Sequence, residues 1–313
     1  MDITPGEAIK LDGLPFPKAA RFSYLKRSGV RLRSLVMESG RSDPRGTVIL
    51  VPGRTEFIEK YFETAEDFRK RGFTVLTVDH RGQGLSDRLT DDPIKSWVRD
   101  FDDYIDDLQF VIDAYGTQLP RPHVIVGHSM GGCIGLQGLI KNKLTADIAV
   151  FNAPMLQVFG LETPPMPEVI SILSMLGLSQ RRLPGQPQKE GIAIPFKGNK
   201  LTSDKSRYAR WRAYFDNAPR LRVAGPTYGW ISAAVRSMKF VNRNASRLKT
   251  PTLIVATSMD PIVVPSVVRD FAAKAQCDFL MIKGALHETF LEVDEHRKTF
   301  FDAFDAFCEK QAV

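Results

Sequence analysis

His123-Val-Ile-Val-Gly-His-Ser-Met-Gly-Gly132 is the stretch on which the reading of this chain turns. His123 to Val126 is a short apolar run suited to a buried strand, and a helical pattern begins near Gly132. Between them, Gly127-His128-Ser129-Met130-Gly131 reads G-x-S-x-G. Strand, tight turn and helix in that order lift a serine onto the tip of a sharp bend. Side chains two residues to either side would collide there, which is the physical reason for glycine at 127 and 131. The simpler alternative is a glycine-rich turn in which Ser129 only caps the following helix.

Outward from this stretch, short apolar runs recur. Thr47 to Val51, Thr74 to Val78, Asp147 to Phe151, Thr252 to Ala256 and Phe279 to Ile282 resemble His123 to Val126 and read as strands buried on both faces. Helical patterns separate most of them; the clearest sets Trp97, Phe101, Ile105, Leu108, Ile112 and Tyr115 down one face. Strand and helix in alternation predict an α/β fold on a mostly parallel sheet with right-handed crossovers. Ahead of it, Phe22 to Leu25 and Arg31 to Met37 alternate around Ser28-Gly29 and predict an antiparallel hairpin. The rhythm breaks once, between about Pro154 and Lys239, with turn clusters at Thr163-Pro-Pro-Met-Pro167 and Pro184-Gly-Gln-Pro187. A structureless loop of that length is anomalous inside a compact domain, so an inserted helical subdomain is expected.

The composition sets the outer bounds. The chain has 313 residues, 43% hydrophobic and 25% charged, which excludes a disordered or fibrous protein and allows a sizeable core. No apolar run approaches the roughly 20 residues of a membrane span. Met1 to Ala20 mixes acidic, basic and proline residues and lacks the apolar stretch of a secretory signal, so a cytoplasmic location is expected. Cys133, Cys277 and Cys308 form neither a disulfide framework nor a metal-ligand spacing. A formal charge of +7 admits nucleic acid, an anionic membrane surface or plain solubility as explanations.

A serine hydroxyl needs a base within hydrogen-bond reach, itself held by a carboxylate. Of the five histidines, His287 follows the last expected strand, in Gly284-Ala-Leu-His-Glu288. His80, His123, His128 and His296 read as structural or solvated. Asp260, in Ser258-Met-Asp260-Pro261, occupies the matching loop after Thr252 to Ala256. The order serine, acid, histidine fits the turn, although a surface aspartate before proline is the plainer alternative. An oxyanion hole needs two backbone N–H groups, expected from Met130 and from Arg54 in Val51-Pro-Gly-Arg-Thr55.

Taken together, Pro52-Gly-Arg-Thr-Glu56, Val78-Asp-His-Arg-Gly-Gln-Gly-Leu-Ser86, Gly127-His-Ser-Met-Gly-Gly132, Ser258-Met-Asp260 and Leu286-His-Glu288 resemble bacterial lysophospholipases and monoacylglycerol lipases of the α/β-hydrolase fold. The resemblance runs from about Phe22 onward. It implies a catalytic triad of Ser129, Asp260 and His287, a body at 1–153 and 241–313, and a cap, or lid, at 154–240. The implied activity is hydrolysis of a carboxylic ester of a lipid-like substrate, a lysophospholipid or monoacylglycerol, through an acyl-enzyme, with no cofactor or metal. Monoacylglycerol lipases usually carry His-Gly where this chain has Pro52-Gly53, which leans toward the lysophospholipase side. Within the insertion only Gly225-Pro-Thr-Tyr-Gly-Trp230 aligns readily, so substrate choice does not follow from the triad. A peptidase or short-acyl esterase could use the same triad, and a non-catalytic ligand-binding protein could use the same scaffold.

Three patterns invite other chemistry. Asp102-Asp-Tyr-Ile-Asp106 resembles a magnesium-binding motif but opens a helix, where carboxylates favour the dipole. Gly82-Gln-Gly-Leu-Ser-Asp87 lacks the third glycine of a dinucleotide fingerprint and reads as a loop bracing the sheet. Cys133, four residues after Ser129, reads as a small buried side chain.

The charge is unevenly placed. Ala153 to Phe240 holds 13 basic residues against five acidic ones, a net +8, and leaves 30 against 31 for the rest. Pro164 to Leu178 is apolar around nearly the whole helix circumference, so it must be buried or meet lipid or an acyl chain. Two readings follow: a solvated basic surface over a packed helix, or a cap that docks on anionic membrane, at the inner surface, and supplies an acyl channel. Nucleic acid is not an expected partner.

Overall fold

The computed structural model describes residues 2–161, 163–184 and 195–313; most of the Pro184–Pro187 turn cluster, with Glu162, lies outside the described residues. The runs at Thr47, Thr74, His123, Asp147 and Thr252 form strands because residues buried on both faces of a sheet have no polar face to offer; the run at Phe279, expected to be buried likewise, lies at the sheet edge, where Ile282 is buried but Phe279 is exposed. Strands β1 (Thr4–Pro5), β2 (Ala20–Arg27), β3 (Val30–Met37), β4 (Gly46–Val51), β5 (Phe73–Val78), β6 (His123–His128), β7 (Ile148–Asn152), β8 (Thr252–Thr257) and β9 (Asp278–Ile282) make one sheet in the order β1-β2-β3-β5-β4-β6-β7-β8-β9. From β5 to β9 neighbouring strands are parallel, while β1, β2 and β3 join the β5 edge antiparallel. The β2–β3 turn is Ser28-Gly29, both at positive φ, as a two-residue hairpin requires.

Helices cover both faces. On one, α2 (Phe101–Tyr115), α3 (Met130–Ile140) and α7 (Pro265–Ala275) bury Ile105, Leu108, Ile134 and Phe271 against the sheet. On the other, α1 (Phe62–Lys70) and α8 (Asp294–Lys310) contribute Phe68, Phe300 and Phe304. Helix α2 starts later than the apolar spacing implied. Asp100 caps it by accepting the Asp102 N–H, and Trp97 lies before the cap with its Nε1 donating to Ser179 Oγ at 2.7 Å.

Between β7 and β8 the chain forms α4 (Met166–Leu173), α5 (Lys205–Asn217) and α6 (Tyr228–Arg243). Helix α6 runs through residue 240, where a boundary was expected, because its buried face packs on α2 and α3 as well as α4. Helix α4 gives way at Leu176 and Gly177 to non-helical backbone, so the apolar stretch ends in a turn and does not continue as one helix to Leu178.

Candidate active site

Four loops at the carboxyl ends of β4, β6, β8 and β9 meet here, as open α/β sheets favour. Ser129 follows β6 with φ 51° and ψ −116°, a left-handed conformation unusual for a non-glycine residue, and its N–H donates to the Asn152 carbonyl at 3.1 Å. The bend demands its glycines. A Cβ on Gly131 would lie 2.1 Å from the Val51 carbonyl oxygen, and one on Gly127 would lie 2.8 Å from the Gly131 oxygen.

Ser129 Oγ lies 3.0 Å from His287 Nε2, and His287 Nδ1 lies 2.6 Å from Asp260 Oδ2. The other oxygen of Asp260 accepts the Ile262 and Val263 N–H groups at 2.8 and 2.9 Å, which aims the carboxylate at the imidazole. Burial opposes the charge of Asp260, but the His287 hydrogen bond and charge, helped by the two N–H groups, hold it below the usual carboxylate range. The structure thus brings together three residues far apart in sequence, in the geometry by which a carboxylate orients an imidazole toward a hydroxyl.

The Gly53–Glu56 loop lies beside this chain because Gly131 lets the bend approach Val51 and Pro52. The N–H groups of Arg54 and Met130 have no acceptor among the described residues. His80, which sequence reasoning treated as structural or solvated, is buried and donates from Nε2 to the Pro52 carbonyl at 3.0 Å, steadying the same loop. Burial lowers its pKa to about 4, so the ring is neutral near pH 7. Gln83 accepts the Thr55 N–H.

The patterns that suggested other chemistry have plain partners. Asp102 pairs with Lys141 and Lys143, Asp103 with Arg99, and Asp106 with Lys143. The Gly82–Asp87 loop wraps Asp79, whose carboxylate accepts the Leu85 and Ile58 N–H groups. Cys133 is buried, which pushes its thiol up to about 12, away from a nucleophile's range.

Sequence reasoning missed a buried ionic cluster behind the site. Lys60 Nζ lies 2.5 Å from Glu56 Oε1 and 2.6 Å from Glu288 Oε2, and His128 Nε2 lies 3.2 Å from that same Glu288 oxygen. Burial works against all three charges, yet mutual attraction raises the pKa of Lys60 and of His128 and takes that of Glu288 well below the carboxylate range. The available signal was adjacency: His128 precedes Ser129 and Glu288 follows His287.

The sequence profile of the serine aminopeptidase S33 family matches residues 42–294. The chain belongs to that family. Among the relatives of this S33-family chain is lysophospholipase L2 of Escherichia coli K12, 34% identical over 280 residues, 84% of this chain and 80% of that one. Another is the monoacylglycerol lipase of Mycolicibacterium smegmatis, 23% identical over 81% of this chain and 85% of that one. The S33-family fold is also that of a soluble variant of Saccharomyces cerevisiae monoglyceride lipase, solved with a substrate analogue, at TM-score 0.72, 20% identity and 94% and 97% coverage of the two chains. A thermostable carboxyl esterase from Bacillus coagulans matches at TM-score 0.74, with 17% identity and 95% and 100% coverage.

Proposed function

We propose that the protein is a carboxylic ester hydrolase acting on a single-chain lipid-like substrate, a lysophospholipid or a monoacylglycerol, through an acyl-enzyme. The carrying observation is the Ser129–His287–Asp260 hydrogen-bonded chain. In the proposed reaction Ser129 Oγ attacks the ester carbonyl as His287 Nε2 takes its proton and then gives it to the leaving alcohol. Asp260 keeps Nδ1 protonated and stabilises the imidazolium. The Arg54 and Met130 N–H groups receive the oxyanion, and water then releases the fatty acid while His287 again acts as base. Kinship with lysophospholipase L2 and with a monoacylglycerol lipase supports a lipid ester over the peptidase and binding-protein readings. Ser129→Ala is expected to abolish turnover of lysophospholipid and monoacylglycerol together with labelling by a fluorophosphonate. Retention of either would overturn the assignment.

The cap supports contact with a membrane surface, though less through charge than its composition implied. Arg207 pairs with Glu63 and Asp294, Arg210 with Glu63, Arg182 with Asp92, Arg220 with Glu7 and Arg236 with Asp100, so much of the excess charge fastens the cap to the body. One outward-facing stretch is apolar. Of α4 only Pro167 and Ile170 are buried, while Met166, Val169 and Ile172 are exposed and Met175 and Leu176 are 77% and 73% exposed. Apolar side chains gathered on α4 and the turn that follows it fit insertion into a lipid interface. Lys197, Lys200 and Lys205, exposed and without carboxylate partners among the described residues, favour an anionic one. Among the described residues no helix is long and apolar enough to cross a membrane.

A further inference from the structure

We infer that Lys60 is a positioning residue for the proposed hydrolysis, its ammonium holding the loop that carries Arg54 against the loop that carries His287. The inference rests on the hydrolase reading above. Glu56 stands two residues after Arg54, Glu288 directly after His287, and His128 directly before Ser129. One ligand atom from each of these buried side chains lies within 4.8 Å of the others, a spacing that would suit a metal ion. The ammonium of Lys60 supplies the cation instead, bridging Glu56 and Glu288 at 2.5 and 2.6 Å. The second oxygen of Glu56 accepts the Gly53 N–H and the Tyr61 hydroxyl, so the bridge reaches the backbone next to Arg54.

His128 completes the arrangement. Its Nε2 faces Glu288 at 3.2 Å, and its Nδ1 lies 3.2 Å from both the carbonyl oxygen and the side-chain Nδ2 of Asn152, so the ring is held at both ends. Donation from Nε2 places a second N–H on the Glu288 oxygen that meets Lys60. Asn152 is also the acceptor for the Ser129 N–H, and its side-chain oxygen accepts from Thr289. One buried network therefore touches the Arg54 loop, the Ser129 bend and the His287 loop. Ion pairs in a low-dielectric interior lose much if one partner is removed, which makes this coupling stiff. Displacement of reacting groups by about 1 Å typically costs roughly 100-fold in rate.

The cluster can be reached without passing Ser129. Lys60 also lines a cavity of about 580 Å³ between the Leu14–Ala19 segment, α1 and α5, whose walls include Phe62, Trp211 and Tyr214 but no triad residue. Lys60→Ala would open that cavity onto the two carboxylates. The test measures kcat and KM of Lys60→Ala on a chromogenic fatty-acyl ester, with and without propylammonium, using tetramethylammonium, which has no N–H, as the control. The expected result is a folded variant with kcat about 100-fold lower, KM within about twofold, and partial rescue by propylammonium only. Wild-type kcat in the variant, or a loss that propylammonium does not relieve, overturns the inference. If Lys60→Ala does not fold, the paired variant Lys60→Met with Glu288→Gln, which removes one charge of each sign, decides. A folded pair at near wild-type kcat overturns the inference, and a folded pair about 100-fold slower at unchanged KM sustains it. Absence of turnover by the wild-type chain would remove the hydrolase reading and this inference together, whereas a normal Lys60→Ala rate beside an active wild type removes this inference alone.

Discussion

Gly131→Ala tests whether the sharp bend at Ser129 serves mainly to bring the serine against the Arg54 loop. The added Cβ would lie 2.1 Å from the Val51 carbonyl oxygen and 2.5 Å from that of Pro52, so the main chain must retreat by about 1.3 Å to reach the 3.4 Å of ordinary contact. Neither obstacle is a side chain that can swing aside. Val51 is the last residue of β4, paired in register with Gly127, so yielding there moves Pro52 to Arg54 away from the bend. Overpacking of this kind typically costs about 1–3 kcal/mol in stability, which a domain with roughly 5–15 kcal/mol survives. The effect on rate should be larger. Weakening one oxyanion donor costs on the order of 10²- to 10³-fold in kcat. The assay is steady-state hydrolysis of a chromogenic ester beside a urea unfolding curve. Gly135→Ala, in the same helix away from the bend, is the control, because the nearest atoms to its Cβ would be side-chain atoms of Phe151 and Ile125. The control should lose stability while keeping kcat. A Gly131→Ala enzyme with kcat within threefold of wild type would refute the reasoning.

Asp260→Asn should leave the imidazole held by a neutral amide and lower kcat by about 10⁴-fold with a folded protein; a loss below tenfold would show that Asp260 is not the orienting carboxylate. For His80 the folded pKa of about 4 lies below the unfolded value of 6.5, so its contribution is fully present above pH 6.5 and is lost as pH falls toward 4. The stability advantage of wild type over His80→Asn should therefore shrink by about 3 kcal/mol between pH 7 and 4. An advantage independent of pH in urea titrations would contradict a neutral buried ring. Met175→Asp with Leu176→Asp should weaken cosedimentation with anionic vesicles at least tenfold, at an unchanged rate on a short soluble ester. Vesicle binding that ignores both substitutions would dismiss the turn after α4 as the contact.

Periodicity and turn chemistry are local properties, and what they govern was legible. The runs at Thr47, Thr74, His123 and Thr252 became strands because buried strands cannot disguise their composition; the run at Phe279 became one as well, although its edge position leaves it only partly buried. The glycines at 127 and 131 announced a bend with no room for side chains, and the chain order of Ser129, Asp260 and His287 indicated which loops would meet it. Trp97 misled because an apolar spacing continues through a cap that only Asp100 marks. Ion-pair partners are another matter, since charge says nothing of distance. Lys60 and Glu288 are 228 residues apart yet bonded, and nothing local distinguishes Arg207 facing Glu63 from an arginine in water. An apolar helix such as α4 needs a neighbour, and its sequence is silent on whether protein or lipid provides it. Sequence by itself determined most of the strands, the bend and the three residue types that meet at it. Tertiary structure alone decided which charges are buried together, which tie the segment between β7 and β8 to the rest of the chain, and which apolar residues remain uncovered, because each depends on what a distant part of the chain brings alongside.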